Sequence, residues 1–270
     1  MKFETFYDGT KIPVLGLGTW RMGGGMTADR SQDDKFIGAI NAALEMGYVH
    51  IDTSEMYAAG HTEEMIGRVI KDFDRENLFI TTKVWSLNLK YRQVSNALDK
   101  SLKRLGTDYV DLYLIHWPNP HVPLADTFKG LNKLVANGKA RHIGVSNFDL
   151  ELLQQAQTLS HTPIATNQVR YSLLSRRAER NGVLEYCQEN DIVLTAYSPL
   201  KEGVLSIREL KSIAQKYDAT PAQVALGWLI NKPKVISIPM STNEAHLKSN
   251  FDAVQLELAL DDIETLDRLM

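Results

Sequence analysis

An acid and a phenol follow one short apolar run, in the stretch "YVHIDTSEMY" that covers residues 48–57. Asp52 stands at the end of this run, and Tyr57 follows it five residues later. The next two apolar runs also end on polar residues, Lys83 in "TTKVW" and His116 in "LIHWP". A polar side chain at the end of a buried strand needs a partner. We therefore expect these four residues to be one another's partners.

These residue types suit the transfer of a proton to a carbonyl oxygen. A phenol has an unperturbed pKa of about 10, so Tyr57 needs help from a cation to act as an acid at neutral pH. An ammonium about 4 Å away, in an effective dielectric of about 20, contributes roughly 4 kcal/mol, which corresponds to about three pKa units. We predict that Lys83 lowers the pKa of Tyr57 in this way. Asp52 would keep Lys83 charged, and His116 would orient the carbonyl oxygen.

Other interpretations of the same residues remain open at this point. Each residue has a purely structural interpretation, as a turn cap, a solvated strand end, a buried histidine or a tyrosine at the rim. A metal-dependent barrel hydrolase is a further alternative, with His50, Asp52 and His116 as ligands. His50 shares a face with Asp52 but lies one alternation deeper, and no histidine or carboxylate ends the later strands, which argues against a metal site.

Short apolar runs alternate with longer amphipathic segments along most of the chain, which is typical of a parallel sheet with crossover helices. The candidate strands number eight, as in a closed barrel, and begin at Val14, Tyr48, Leu78, Tyr109, Ala140, Ile164, Ile192 and Lys234. The glycine fingerprint of a doubly wound dinucleotide-binding sheet is absent, because "GLGTWR" has Arg21 in place of the third glycine. We therefore predict an α/β protein with a single-domain (α/β)8 TIM barrel over residues 1–270, and a site at the C-terminal ends of its strands.

Local signals add detail to this barrel. The "DG" in "KFETFYDGTKIP" predicts an N-terminal β-hairpin that closes the bottom of the barrel. The segment "DDKFIGAINAALEMG" predicts a helix that ends at Gly47. In "TPAQVALGWLI", Thr220 and Gln223 form a capping box for a helix before the last strand, so additional helices are expected near the C-terminus.

Composition excludes several classes of partner. With 44% hydrophobic and 23% charged residues, the chain has the composition of an ordinary globular protein. The formal net charge is -3 without a dense basic cluster, so no nucleic acid partner is expected. No apolar run approaches the roughly 18 residues of a membrane span, so we expect no membrane partner and a cytoplasmic location. The single cysteine, Cys187, cannot form an internal disulfide, and the sequence carries no signal for the oligomeric state.

The chain resembles the aldo-keto reductase superfamily, of the prokaryotic type. The resemblance runs from "VLGLGTW" to "LKSNF" and rests on five motifs in the family's order, "HIDTSEMY", "TTKVW", "LYLIHWP", "IGVSNF" and "AYSPL". It implies a barrel that binds a nicotinamide cofactor without a Rossmann domain and reduces aldehydes or ketones to alcohols. It also implies that Asp52, Tyr57, Lys83 and His116 are the catalytic residues, with Tyr57 as the proton donor.

The resemblance further implies a set of cofactor-binding residues. Ser146, Asn147 and Gln168 would bind the nicotinamide carboxamide, and Tyr197 would stack on the nicotinamide ring. The remaining cofactor candidates are Gly18, Thr19, Trp20, Asp52, Ser198, Leu200, Ile238, Met240, Ser241, Thr242, His246 and Asn250. The apolar wall of a substrate pocket is expected from the tryptophans that follow three strand ends, so the predicted substrate residues are Trp20, Trp85, His116 and Trp117.

Two departures from the family pattern affect these expectations. In "IPMSTNEAHLKSN", Met240 and His246 stand where members that prefer NADPH have lysine and arginine. One lost charge-assisted hydrogen bond, worth roughly 1.5 to 3 kcal/mol, would weaken a preference for NADPH about tenfold to a hundredfold. We predict NADP(H) as the cofactor, with NAD(H) as the alternative, and Lys248 as a further candidate for the 2'-phosphate.

The second departure is in the loop after Tyr57, where the glycine that usually follows the tyrosine is delayed to Gly60. We expect the tyrosine to keep its place and the rim of the pocket to change. The connections are short, which predicts an open mouth for small carbonyl substrates. A non-catalytic module that binds the same cofactor is the remaining alternative function.

Overall fold

Eight parallel strands close into a barrel in the computed structural model, which describes residues 1–201 and 203–269. The barrel strands are Leu17–Gly18 (β3), His50–Asp52 (β4), Phe79–Val84 (β5), Val110–Ile115 (β6), Ala140–Ser146 (β7), Ile164–Arg170 (β8), Val193–Tyr197 (β9) and Val235–Ile238 (β10), after a two-stranded sheet of Phe3–Thr5 (β1) and Lys11–Pro13 (β2). Each barrel strand pairs with the next one along the chain from β3 to β10. The predicted barrel is therefore confirmed.

The barrel closes where the segment before β3 meets β10. The amide of Ser237 donates to the carbonyl of Val14 at 2.8 Å, and the amide of Gly16 donates to the carbonyl of Ser237 at 2.9 Å. A Cβ atom on Gly18 would lie 2.6 Å from the carbonyl oxygen of Ile238, so only glycine lets the two strands come this close. Residues 14–16 of the predicted first strand thus pair with β10, and only residues 17–18 pair with β4.

The N-terminal hairpin lies across the bottom of the barrel, as predicted. Its strands pair antiparallel around the Asp8 and Gly9 turn, in which Gly9 has a φ of +84°. The Phe6 ring packs against Phe79 at the start of β5. The carboxylate of Asp8 lies 2.9 Å from Nε2 of His142 at the start of β7. Because these contacts involve the first residues of barrel strands, the opposite end of the barrel is left open for a site.

Helices surround the barrel. They are Asp33–Glu45 (α1), His61–Ile70 (α2), Tyr91–Leu105 (α3), Leu124–Ala136 (α4), Leu150–Leu159 (α5), Arg177–Arg180 (α6), Val183–Glu189 (α7), Arg208–Lys216 (α8), Pro221–Ile230 (α9), Glu244–Asp252 (α10) and Leu260–Asp267 (α11). Two helices, α8 and α9, lie between β9 and β10, and α10 and α11 follow β10, which confirms the additional helices. Among the described helices, none has the length and apolarity to span a membrane.

The predicted helix signals are present in the structure. Thr220 caps α9, and the reciprocal bonds between Thr220 and Gln223 form the complete capping box. Helix α1 is followed by Gly47, which has a φ of +102° and donates its amide to the carbonyl of Leu44. Cys187 is buried in α7. Local sequence therefore sets these helix ends as the patterns indicated.

His50 lies inside the barrel and has a structural environment. Its side chain is buried, its Nε2 lies 3.0 Å from Oγ1 of Thr81, and its ring meets Phe79 edge-on. Burial, with a smaller contribution from the charge of Lys83, lowers the pKa of His50 to about 3. The histidine is therefore neutral in the folded protein at any pH near neutrality.

We predict that His50 makes the protein less stable as the pH falls below about 6.5, the ordinary pKa of histidine. The unfolded chain binds a proton there, whereas the folded protein does so only near its lowered pKa of about 3. The stabilisation is complete above the unfolded pKa and is lost as the pH falls through this window. Urea unfolding between pH 6.5 and 5 should give a slope that His50→Gln reduces by up to about 1.4 kcal/mol per pH unit. Parallel lines for the variant and the parent protein would contradict this prediction.

Candidate active site

A buried lysine lies at the centre of the predicted residue set. Lys83, near the end of β5, is fully buried, and its Nζ donates to Oδ1 of Asp52 at 2.6 Å. The same Nζ donates to the carbonyl of Thr53 at 2.8 Å and to the hydroxyl of Tyr57 at 3.2 Å. An ammonium has three protons, and here each has an acceptor. The structure therefore brings Asp52, Tyr57 and Lys83 together as the sequence predicted.

Asp52 and Lys83 form an ion pair that supports the charge of both groups. Burial raises the pKa of Asp52 above its ordinary value, although Lys83 and the Gln168 amide, whose Nε2 donates to Oδ2 at 2.7 Å, act in the opposite direction. Burial alone would lower the pKa of Lys83, but Asp52 and then Tyr57 outweigh it and raise the pKa. Lys83 is therefore charged, in agreement with the role predicted for Asp52.

The predicted lowering of the Tyr57 pKa is wrong for the protein as it stands. The Tyr57 side chain is almost completely buried, and burial raises the pKa of its hydroxyl above the ordinary value. Lys83 opposes this effect, but Asp52 adds to it, so the net shift is upward. A phenol that loses its hydration is harder to ionise than the sequence argument assumed. Tyr57 therefore carries its proton at neutral pH and has an ammonium beside its oxygen.

His116 completes the group from the residue that follows β6. Its ring meets Tyr57 edge-on with the centroids 5.6 Å apart, and its Nδ1 lies 3.0 Å from Oγ of Ser54. Burial, followed by the charge of Lys83, lowers the pKa of His116 to about 3. The imidazole is therefore neutral near pH 7, which suits a hydrogen-bonding group better than a charged one.

A cavity of about 540 Å³ opens over these residues at the C-terminal ends of the strands. Asp52, Tyr57 and His116 contribute to its wall, whereas Lys83 lies beneath it. Twelve of the predicted cofactor residues line it, namely Gly18, Thr19, Trp20, Asp52, Ser146, Asn147, Gln168, Tyr197, Ser198, Leu200, Ile238 and Met240. Residues from most barrel strands thus converge on one pocket.

The tryptophans predicted to wall the pocket divide into two groups. Trp20 lines the cavity and packs against Tyr57 with the ring centroids 4.9 Å apart. Trp117 also lines it and is 44% exposed, so it forms part of the rim. Trp85 is not among the lining residues and instead packs edge-on against His116. Trp85 therefore contacts His116 rather than the cavity.

A connected set of polar groups lies on the far side of the cavity. Oγ of Ser146 donates to the carbonyl of Gln168 at 2.8 Å, and Nδ2 of Asn147 donates to the carbonyl of His116 at 3.0 Å. The hydroxyl of Tyr197 donates to Oδ1 of Asn147 at 2.9 Å. Asn147 has a φ of +63°, a conformation that asparagine tolerates better than most residues. These bonds fix the orientation of the amide and phenol groups at the edge of the cavity.

The last predicted cofactor residues lie outside this cavity, in the segment that leads into α10 and in α10 itself. They are Ser241, Thr242, His246 and Asn250. Ser241 and Asn250 are buried, and His246 is exposed in the first turn of α10. Lys248 is engaged elsewhere, because its Nζ donates to both carboxylate oxygens of Asp252 in α10, at 2.5 and 2.6 Å.

Several lining residues were not found by the sequence analysis, in particular Arg21, Met56, Arg170, Pro199, Lys201 and Pro239. Arg170 had a usable signal, since it follows Gln168 by two positions on β8 and so shares its face. A second cavity of about 430 Å³ adjoins the first and shares Trp117, Asn147 and Tyr197 with it, as well as Arg170.

Within the described part of the chain, no group of three or more histidine, cysteine or acidic residues could hold a metal ion.

The delayed glycine after Tyr57 has a conformational consequence. Ala58 and Ala59 both adopt left-handed backbone angles, with φ of 49° and 54°, and Gly60 follows with a φ of 93°. Such angles cost an alanine roughly 1–2 kcal/mol. The amide of Ala58 donates to the carbonyl of Gly25 at 2.7 Å, which helps to hold the turn. The tyrosine keeps its place, as expected, at the expense of strain in the two residues that follow it.

We predict that Ala59→Gly stabilises the protein. Ala59 is exposed, so the substitution removes strain of roughly 1–2 kcal/mol without loss of packing, against a backbone entropy cost of about 0.5–1 kcal/mol. The free energy of unfolding in urea should rise by about 0.5–1 kcal/mol. Ala136→Gly, at the exposed last residue of α4, is the control at an unstrained backbone position and should not raise the unfolding free energy. Equal destabilisation by both variants would show that the turn is not strained.

Comparison with known proteins places the chain in one family. Residues 14–270 match the Aldo/keto reductase family. The methylglyoxal reductase YeaE of Escherichia coli is 36% identical over 99% of this chain and 94% of its own length, and the glyoxal reductase of Bacillus subtilis is 37% identical over 97% of this chain and 91% of its own.

Solved structures agree with these relatives. The thermostable aldo-keto reductase Tm1743, solved with the inhibitor epalrestat, is 45% identical and superimposes with a TM-score of 0.97 over 100% of both chains. An aldo/keto reductase from Klebsiella pneumoniae, solved with NADP and acetate, is 35% identical with a TM-score of 0.89 over 99% of this chain and 95% of its own. The chain therefore belongs to the aldo/keto reductase family.

Proposed function

We propose that this protein reduces small aldehydes or ketones to alcohols with NADP(H), and that Tyr57 is the proton donor. The observation that carries the proposal is the position of Tyr57, whose hydroxyl lies 3.2 Å from the buried ammonium of Lys83 and borders the cavity beside His116. A structural role alone does not require a fully buried lysine whose charge is directed at a phenol. Proton donation from the phenol to a carbonyl oxygen is favoured by it, because negative charge develops on the phenol as it loses its proton.

The residues of the site divide the work of proton transfer. Tyr57 donates its proton to the carbonyl oxygen as that oxygen gains electron density. The Lys83 ammonium then stabilises the phenolate that remains, and the Asp52 carboxylate keeps Lys83 charged throughout. His116 binds the same carbonyl oxygen as a neutral hydrogen-bonding group and so aligns it with the hydroxyl of Tyr57. The overall reaction consumes one hydride and one proton per carbonyl.

The reduced nicotinamide supplies the hydride when it is bound. The cavity fits such a ring on one side, since Ser146, Asn147 and Gln168 present hydroxyl and amide groups for a carboxamide and Tyr197 presents a flat aromatic face. Gly18 fits a close approach as well, because it leaves the adjoining wall without a side chain. The anionic part of the cofactor would lie near Ser198, Leu200 and the segment from residue 238 to residue 250.

The substrate class follows from the pocket and from the relatives together. Trp20 and Trp117 give the cavity apolar walls, and the exposure of Trp117 leaves its mouth open to small molecules of different shapes. The relatives described above are named as reductases of methylglyoxal and glyoxal. We therefore propose small 2-oxoaldehydes as the first substrates to assay.

We predict that Tyr57→Phe abolishes most carbonyl reduction. The variant keeps the aromatic ring that packs on Trp20 but lacks the donated proton, so kcat for methylglyoxal should fall by about 100-fold or more. The measurement is the oxidation of NADPH followed by absorbance. The Kd for NADPH, measured by fluorescence titration, should stay within about twofold, because loss of one neutral hydrogen bond at the floor of the site costs little binding energy.

Tyr113→Phe is the matched control for this substitution. Tyr113 is a buried tyrosine of β6 whose hydroxyl has no hydrogen-bond partner among the described residues. Its phenylalanine variant should keep the kcat of the parent protein. If Tyr57→Phe reduced carbonyls as fast as this control, Tyr57 would not be the proton donor. If the parent protein bound NADPH but reduced no aldehyde or ketone in a broad panel, a non-catalytic binding role would replace the proposal.

We predict a modest preference for NADPH that can be strengthened. Met240 is 45% exposed beside the cavity, and His246 lies in the first turn of α10, where Glu244 adds a negative charge. The double variant Met240→Lys and His246→Arg should raise the ratio of kcat/KM for NADPH over NADH by about tenfold or more, through new charge-assisted bonds to a 2'-phosphate. Lys248→Met is the control and should change the ratio little, because Asp252 occupies that ammonium. A strong preference of the parent protein for NADH would contradict the choice of NADP(H).

A further inference from the structure

A buried serine contacts the histidine of the site. Ser54 lies two residues after Asp52, is completely buried, and does not line the cavity. Its Oγ has three polar neighbours. The amide of Met56 donates to Oγ at 3.2 Å, Nδ1 of His116 lies 3.0 Å away, and the carbonyl of Lys83 lies 3.4 Å away. Ser54 can donate only one hydrogen bond. Whether it donates to Nδ1 or to the carbonyl decides which nitrogen of the neutral imidazole carries the proton.

The distances favour donation to the histidine. Hydroxyl hydrogen bonds are strongest below about 3.0 Å and weaken beyond that distance, so the 3.0 Å contact with Nδ1 is better than the 3.4 Å contact with the Lys83 carbonyl. That carbonyl also accepts the amide of Glu55 at 3.4 Å. The amide of Met56 can only donate, and it occupies a lone pair of the Ser54 oxygen. The hydroxyl proton is thus directed at Nδ1 of His116.

The tautomer of His116 follows from this bond. A neutral imidazole has one N–H, so a ring whose Nδ1 accepts a hydrogen bond carries its own proton on Nε2. Within the described residues, Nε2 of His116 has no hydrogen-bond partner. It is not one of the fully buried polar atoms, so part of its surface is exposed. It therefore remains accessible from the cavity that His116 lines. In the opposite tautomer, Nε2 would present a lone pair to the lone pairs of a carbonyl oxygen.

We infer that Ser54 is a positioning residue for His116, because its hydroxyl holds the imidazole in the Nε2–H tautomer and so makes Nε2 a hydrogen-bond donor to the substrate carbonyl. This inference rests on the proposed carbonyl reduction. The ring is also held in orientation on both sides, by Tyr57 at a centroid distance of 5.6 Å and by Trp85 at 5.5 Å. These aromatic contacts set the plane of the imidazole but leave its tautomer free. Ser54 supplies the missing constraint.

The test combines tautomer and kinetics in protein that has NADP bound. In the parent protein with 15N-labelled histidine, NMR should show His116 with a protonated Nε2 and an unprotonated Nδ1. Ser54→Ala should give a mixture of both tautomers and lower kcat/KM for methylglyoxal about 3- to 10-fold, the worth of one hydrogen bond. The Kd for NADPH should not change. Ser54→Thr, which keeps a hydroxyl, should restore the tautomer and most of the activity.

Ser101→Ala is the matched control for the loss of a buried serine. Ser101 is completely buried in α3 and accepts a hydrogen bond from Arg104 at 3.1 Å, away from the cavity. Its alanine variant should keep the His116 tautomer and kcat/KM of the parent protein, whatever its stability.

The outcomes separate this inference from the proposed function. A proton on Nδ1 of His116 in the parent protein would overturn the inference even if Tyr57→Phe abolished carbonyl reduction as proposed. So would a Ser54→Ala protein with the parent's tautomer and kcat/KM. The predicted tautomers in a protein that reduces no carbonyl would refute the proposed function and, with it, the role assigned to Nε2.

Discussion

The buried ion pair between Lys83 and Asp52 is the interaction on which the rest of the site depends. Breaking one partner of such a pair leaves an uncompensated charge in the interior, at a cost of roughly 3–5 kcal/mol. The pair holds because its remaining bonding capacity is used, by the Thr53 carbonyl and Tyr57 hydroxyl on Nζ and by the Gln168 amide on Oδ2. Three strands, β4, β5 and β8, must therefore keep their register for the charge to be tolerated. The closed barrel provides that register.

The ammonium also contributes to the pKa values of its neighbours. Its charge acts together with burial to keep His116 neutral, and it lies beside a Tyr57 hydroxyl that burial keeps protonated. His116 and Tyr57 thus border the cavity as neutral side chains, with the ammonium of Lys83 beneath them. Such an arrangement stabilises negative charge when it forms on the phenol during proton transfer.

Much of the fold and of the site was predictable from the sequence, because strand ends and spacing are local properties. Alternation placed Asp52 at the end of β4 and Lys83 near the end of β5, and the parallel topology then required them to meet at one end of the barrel. The hairpin turn and the capping box were predictable for the same reason. A turn or a cap is decided by residues within a few positions of each other, so its signal is contained in a short stretch.

Other features were decided only by the tertiary structure. The pKa of Tyr57 depends on every atom that displaces water from its hydroxyl, and this desolvation cannot be read from the positions of Lys83 and Asp52 in the sequence. The contact between Ser54 and His116 joins residues that are 62 positions apart. The contact between the rings of Trp85 and His116 likewise depends on how the packed strands place their ends. By itself the sequence determined which residue types reach the mouth of the barrel, since that follows from periodicity. Their protonation, tautomer and access to the cavity depend on distances and desolvation, which exist only once the strands are packed together.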